Sequence, residues 1–312
     1  MSKSLSGLSL RDLEYVASVA RFLHFGRAAE ACGVSQPALS AQVRKLERYL
    51  GFALFERLPS GTRLTKPGAE FAGRAAELVT AARDLLATSA GLDARVGPFR
   101  LGAIPTLGPY LLPYAIRPIR ASLPELRLLF TEGRTAELML MLREGQLDAV
   151  LVCTPPADPA LDHHVLFTEP LLLMHPLGAC PSWPPMPGEL LTLADGHCLR
   201  DQVTAACGIP FTTSDRHATG LEMLHQMVAA GEGVSFVPAL AAIRLGAAEG
   251  LVAYSQPGAG PIVRDVLLVM RRGHPRRVLI AELAEVFRTL DLPLGRDQAG
   301  SPERVGPGSL VG

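Results

Sequence analysis

The sequence predicts an α/β protein with an all-α, winged domain at its N-terminus. Three observations predict it. Residues 9–66 hold three short helical patterns and then two strand-like runs around Pro59, Ser60 and Gly61. From Phe71 to Leu92, apolar residues recur at alternating spacings of four and three. From residue 99 onward, strand-like and helix-like runs alternate.

The first helix starts at Ser9, with Asp12 in the third position as its capping-box partner. Leu10, Leu13, Val16, Ala17 and Ala20 form its apolar stripe. The second helix, GRAAEACG, ends at Gly33. The third has Ser35 as N-cap and Pro37 in the first turn, where a missing N–H costs little. Leu39, Val43, Leu46 and Leu50 mark its buried face. Its opposite face carries Gln36, Ser40, Gln42, Arg44, Lys45 and Arg48. This order of elements is a helix-turn-helix, whose last helix suits the DNA major groove. The run FALFERLPSGTRLT then reads as a wing, with Arg57 and Arg63 set for phosphates. An ordinary solvated helical domain is the alternative reading.

Charge agrees with the nucleic-acid reading. The 312-residue chain has no net charge, yet residues 1–66 carry ten Lys and Arg against five Asp and Glu. A basic end on an acidic body suggests a polyanion partner for that end alone. The N-terminus has no signal-peptide core, and no apolar run is long enough to span a membrane. Five cysteines without framework spacing fit the reducing cytoplasm. CxxC and HExxH motifs are absent, which speaks against a metal site.

The stripe Phe71, Ala75, Leu78, Ala82, Leu85 and Leu92 is narrow, as in a seam against a partner helix. The domains expected are a winged helix-turn-helix over 1–66, a dimerising linker helix and hinge over 67–96, a regulatory domain over 97–294, and a disordered tail over 295–312.

In the regulatory body, FRLGAIP, LRLLFTE and LDAVLV read as strands with helices between them, which implies a parallel, doubly wound sheet. EPLLLMHP, VSFVPAL and VRDVLLVM read as further strands, and TGLEMLHQMVAAGEG and RRVLIAELAEVFRTL as helices. Such sheets bind ligands beyond the strand C-termini. Thr106 and Thr135 fall at turns of that kind, where each is either a helix cap or a ligand contact.

Of the cysteines, Cys32 and Cys153 sit in apolar runs and read as packing residues, and Cys180 lies in a Pro-rich loop. Cys198 differs, because His197 and Arg200 flank it and cationic neighbours favour a thiolate. Asp201 opposes them unless it pairs with Arg200. From these residues alone, a reactive thiol and an ordinary surface thiol both remain open.

Residues 8–68 resemble the DNA-binding domain of LysR-type transcriptional regulators, through FGRAAEACGVSQPALSAQVRKLERYLGFALFER and LTKPG. That resemblance implies that Ser35, Gln36, Pro37, Ser40 and Arg44 approach DNA. It also implies a two-lobed regulatory domain like a periplasmic binding protein. The stretches IPTLGPYLLP, DGHCLRDQ and MVAAGEG resemble the peroxide-sensing branch of that family, over nearly the whole chain.

The closer resemblance implies a peroxidatic Cys198, a resolving Cys207, and a peroxide pocket shaped by Thr106, Thr135, His197, Arg200, Asp201 and Arg264. It implies promoter DNA, hydrogen peroxide, RNA polymerase and further copies of the chain (a homodimer or homotetramer) as partners. No cofactor and no metal are expected, and the helix-turn-helix speaks against enzymatic turnover, which has no need of one. GIPFTTSDRH, after Cys207, departs from the branch's pattern. The rival readings are a metabolite-binding LysR-type regulator with inert cysteines, and a thiol peroxidase.

Overall fold

The computed structural model describes residues 4–58, 61–89, 97–186, 188–208, 217–246, 248–258 and 260–294. The chain divides into two compact units, one built on residues 1–96 with 140–148 and 273–277, the other on the remainder.

The first unit begins with α1 (Leu10–Phe22), whose Ser9–Asp12 capping box is present in full. α2 (Phe25–Ala31) and α3 (Gln36–Leu50) follow. Ser35 accepts from the Ala38 N–H, Pro37 lies in the first turn, and Gly51 in the left-handed region (φ 77°) ends α3. Val16 and Val19 of α1, Ala28 of α2, and Leu39, Val43 and Leu46 of α3 form one core. β1 (Phe55–Leu58) and β2 (Gly61–Leu64) make the wing hairpin. Glu47 of α3 anchors it, accepting from the Leu54 N–H at 2.8 Å and the Phe55 N–H at 3.2 Å.

α4 (Lys66–Ser89) divides the predicted seam. Ala75 is buried with Val79 against Leu13 of α1, so it belongs to the core of its own unit. Leu78 and Leu85 stay 54% and 70% exposed, and Leu92 lies outside the described residues.

The second unit holds β3 (Pro98–Ala103), α5 (Gly108–Ser122), β4 (Arg127–Glu132), α6 (Thr135–Arg143), β5 (Ala149–Val152) and β6 (Leu161–Pro176). Then come β7 (Thr192–Leu193), α7 (Cys198–Cys207), β8 (His217–Ala218), α8 (Leu221–Ala229) and β9 (Ser235–Pro238). α9 (Ala239–Leu245), β10 (Val252–Ser255), β11 (Ile262–Arg271) and α10 (Arg277–Arg288) complete the order.

The main sheet runs β10-β6-β11-β5-β3-β4, with β9 also paired to β6. β3 is parallel to β4 and β5, as expected. The expectation of an all-parallel sheet is corrected by β11, which returns antiparallel between β5 and β6. β6 is also longer than the EPLLLMHP run, because LDHHVLFT extends it. Those eight residues mix charged, aromatic and apolar types and lack a clean period of two. β7 and β8 form a small parallel sheet of their own.

Candidate functional site

Cys198 is the first residue of α7. Gly196 turns the chain at φ +88°, where L-residues are rare, and extended His197 is the N-cap. Leu199, Val203 and Cys207, four apart, bury one face of α7. Cys198 is itself 8% exposed. A thiol at a helix N-terminus faces the positive end of the helix dipole.

A buried charge network lies in the same electrostatic neighbourhood. Arg264 of β11 interacts with the Cys198 thiol and with Glu169. Its Nε and Nη2 donate to Glu169 Oε2 at 2.9 and 2.8 Å. Its Nη1 donates to Thr106 Oγ1 at 3.1 Å, and Nη2 to the Thr106 carbonyl at 2.9 Å. Glu169 Oε1 accepts from the Leu240 N–H at 2.9 Å. The side chains of Arg264 and Glu169 are 1% and 0% exposed. A pair so desolvated is tolerable only with such full bonding. Arginine is a donor only, so the Thr106 oxygen must accept here, which leaves the threonine's own proton to donate elsewhere.

Thr106 and Thr135 do not act as helix caps. α5 is capped at Leu107 without a side-chain bond, and Thr135 is already the first residue of α6. Among the described residues, the buried Thr135 hydroxyl oxygen finds no hydrogen-bond partner. Nor does buried Gln202 Oε1, while Gln202 Nε2 donates to the Cys153 carbonyl at 2.9 Å.

The expected cationic flanks of Cys198 need correction. Burial, and then the nearby Arg134 guanidinium, hold His197 below the ordinary imidazole range, so at neutral pH it is uncharged. Arg200 pairs with Asp195. Asp201 is exposed in the first turn of α7. Arg264, remote in sequence, is a cation in electrostatic reach of the thiol. Glu169, Gln202 and Arg134 carry no sequence signal of a role here beyond the charge of Glu169 opening an otherwise apolar strand run, and Cys153 reads from sequence as packing alone.

Cys207 ends α7 and is also buried, and burial pushes its thiol up. α7 is helical through its ten residues, so the two cysteines stand at opposite ends. Residues 209–216 lie outside the described residues.

In the first unit, Ser35, Gln36, Pro37 and Arg44 are exposed at and along α3, together with Lys45 and Arg48. Ser40 is a correction, being 5% exposed. It sits about 60° around the helix from Val43, at the edge of the buried stripe. Gln42 likewise turns to Asp12, donating at 2.6 Å. Arg63 is exposed and pairs across the wing with Glu56 at 2.7 Å. Arg57 lies on β1, with its side chain outside the described residues.

Residues 10–69 match the bacterial regulatory helix-turn-helix proteins of the lysR family, and residues 93–291 match the LysR substrate binding domain. The chain belongs to the LysR family, which groups transcription regulators and not enzymes. More particularly, it is similar to OxyR. It is 39% identical over 293 residues to the DNA-binding transcriptional dual regulator OxyR of Escherichia coli K12, covering 90% of this chain and 95% of that one. A full-length OxyR variant from Pseudomonas aeruginosa superposes with a TM-score of 0.71 at 35% identity, over 90% of this chain and 98% of that one. An OxyR cysteine-to-serine mutant from Corynebacterium glutamicum, solved with hydrogen peroxide bound, gives 0.56 at 27% identity over 90% and 93%.

Proposed function

We infer that this protein is a DNA-binding transcription regulator that senses hydrogen peroxide by oxidation of Cys198 and disulfide formation with Cys207. The observation that carries the reading is Cys198 buried at the N-terminus of α7, in electrostatic reach of Arg264, which also bonds Thr106. The Cys198 thiolate attacks one peroxide oxygen. The O–O bond breaks, Cys198 becomes a sulfenic acid, and the other oxygen leaves as hydroxide. The Thr106 hydroxyl, with its acceptor side held by Arg264, donates to the oxygen gaining charge. The unpartnered Thr135 hydroxyl offers a second polar contact for the peroxide.

Cys207 thiolate then attacks the Cys198 sulfur, the S–O bond breaks, and water is released. A helix holds its ends about 13.5 Å apart over nine steps of 1.5 Å. A disulfide needs Cα atoms roughly 5.5 Å apart. α7 must therefore unwind, and that rearrangement is the signal. Promoter DNA is the output partner, met by α3 and the wing of two or more copies of the chain. RNA polymerase is the further partner, and the cytoplasm is where this thiol chemistry is reset. Among the described residues, no helix is long and apolar enough to cross a membrane.

Peroxide titration with mass spectrometry of the cysteine pairs tests the reading. A Cys198–Cys207 cross-linked peptide should appear with one equivalent of peroxide. If Cys207 stays free while the DNA footprint still changes, the two-cysteine switch is wrong, and a sulfenic acid at Cys198 alone is the signal.

A further inference from the structure

Cys153 follows β5 and has no part in the chemistry above. Three neighbours fix its position. β5 ends at Val152, which pairs with Leu267 of β11. Cys153 therefore lies across from Val266, on the same side of β11 as Arg264 two residues away. On the other side, Leu151 is level with Ala103 of β3, and the Ile104 N–H donates to the Leu151 carbonyl at 3.2 Å. That register carries Cys153 to the level of the Pro105–Thr106 turn. The third neighbour is α7, since Gln202 Nε2 donates to the Cys153 carbonyl at 2.9 Å. Gln202 is four residues from Cys198, one turn along the same helix face.

The strand that carries Arg264, the level of the Thr106 turn and Gln202 of α7 thus all border Cys153, which is 5% exposed. Its thiol interacts electrostatically with both Arg264 and Cys198. This is the neighbourhood in which the sulfenic acid forms, and Cys153 enters it from the strand side, not from the far end of the helix.

We propose that Cys153 is a second resolving thiol for oxidised Cys198, forming a Cys153–Cys198 disulfide that leaves α7 helical and competes with the Cys198–Cys207 bond. The proposal rests on the reading of Cys198 as the peroxide-reactive thiol. The oxidant is the one hydrogen peroxide already spent on Cys198. The Cys153 thiolate attacks the Cys198 sulfur, the S–O bond breaks, and the departing hydroxide takes the proton that Cys153 gave up, so one water leaves.

The two products differ in what they do to the fold. Pairing with Cys207 joins the two ends of α7 and forces it to unwind, whereas pairing with Cys153 joins its N-terminus to the strand residue that Gln202 already holds. The second bond stores the oxidation without the rearrangement, and so it acts as a brake on the signal. Ionisation limits how readily the Cys153 thiol attacks. Burial pushes the Cys153 thiol up to about 12 against the pull of Arg264. Such a thiol is ionised to about one part in 10⁵ at pH 7, and about tenfold more for each pH unit above that. Cys153 is therefore slow at neutral pH, and gains as pH rises or when Cys207 is blocked.

The test uses full-length C207S and C153A/C207S proteins, treated with one equivalent of peroxide at pH 7 and pH 9. The samples are split between dimedone and N-ethylmaleimide, then digested without reductant. In C207S, a Cys153–Cys198 linked peptide should form roughly 100-fold faster at pH 9 than at pH 7. The Cys198 dimedone adduct should fall to match. In C153A/C207S the adduct should persist at both pH values. The linked peptide is read in C207S, so it does not depend on how the Cys153 variant folds. Sulfenic acid of equal lifetime in both proteins at pH 9, without a linked peptide, would overturn the proposal. So would pairing of Cys198 with Cys180 or between chains. If Cys198 takes up no dimedone even in C153A/C207S, the peroxide reading itself fails, and the proposal with it.

Discussion

Thr106 accepts from Arg264, and Arg264 is held in turn by Glu169, so single substitutions along this line should separate binding from chemistry. In the proposed reaction the Thr106 hydroxyl donates to the peroxide and not to the thiolate, and Thr106→Val removes it. The reaction of Cys198 with peroxide should slow by about tenfold or more, as on removal of a positioned donor. Alkylation of Cys198 by iodoacetamide should hardly change, and stopped-flow rates with both reagents check this. Glu169→Gln strands a buried guanidinium, and breaking such a pair costs about 3–5 kcal/mol. Urea denaturation should show that loss. His197 gives a pH signature. Its folded pKa lies below the unfolded value of about 6.5, so its contribution to stability is present above that pH and is lost as pH falls through the folded pKa. An imidazole NMR titration should find His197 still neutral at pH 6.5, and a midpoint above that would refute the assigned environment.

At the scale of elements, α1 and α4 make the next tests. The Ser9–Asp12 capping box opens α1, and Ser9→Ala should cost about 1 kcal/mol. Burial raises the Asp12 pKa, but bonds from Gln42 and Ser9 outweigh it and leave the carboxyl below its ordinary value. Its stabilisation is therefore complete above about pH 4 and fades as pH falls further, so the Ser9→Ala deficit should shrink in acid melts. On α4, Leu78 is exposed while Ala75 is buried. On the proposal that exposed Leu78 faces a partner copy, Leu78→Asp should lower the oligomeric state seen in light scattering yet leave the unit folded, whereas Ala75→Asp should unfold it. The helices were legible because caps and apolar spacing are local: Ser9, Ser35, Pro37 and Gly51 sit beside what they terminate. What was not legible is set by partners far along the chain. Arg264 meets Glu169 across 95 residues and Thr106 across 158. No spacing rule links them, and a charged flank such as His197 reads as a cation until its burial is known.

For the whole molecule, charge distribution governs how the protein finds DNA. Ten basic residues against five acidic ones fall within 1–66, while the chain as a whole is neutral. The regulatory body must then carry the opposite excess and be repelled by phosphates. Specific binding should come from the exposed α3 face of Arg44, Lys45 and Arg48, with the wing adding Arg63 only where a phosphate displaces Glu56. Exposed ion pairs of that sort are worth no more than about 1 kcal/mol, so the exchange is easy. Because each neutralised phosphate releases condensed counterions, the logarithm of affinity should fall linearly with the logarithm of salt. Arg44→Ala should weaken binding and flatten that slope by about 1 for each recognition helix engaged. Arg120→Ala, which removes an exposed cation from α5 of the body, should leave the slope unchanged. Fluorescence anisotropy of labelled promoter DNA across a potassium chloride series measures both. Equal losses of slope in the two variants would mean that the body also contacts phosphates, and the division of labour read from the charges would fail.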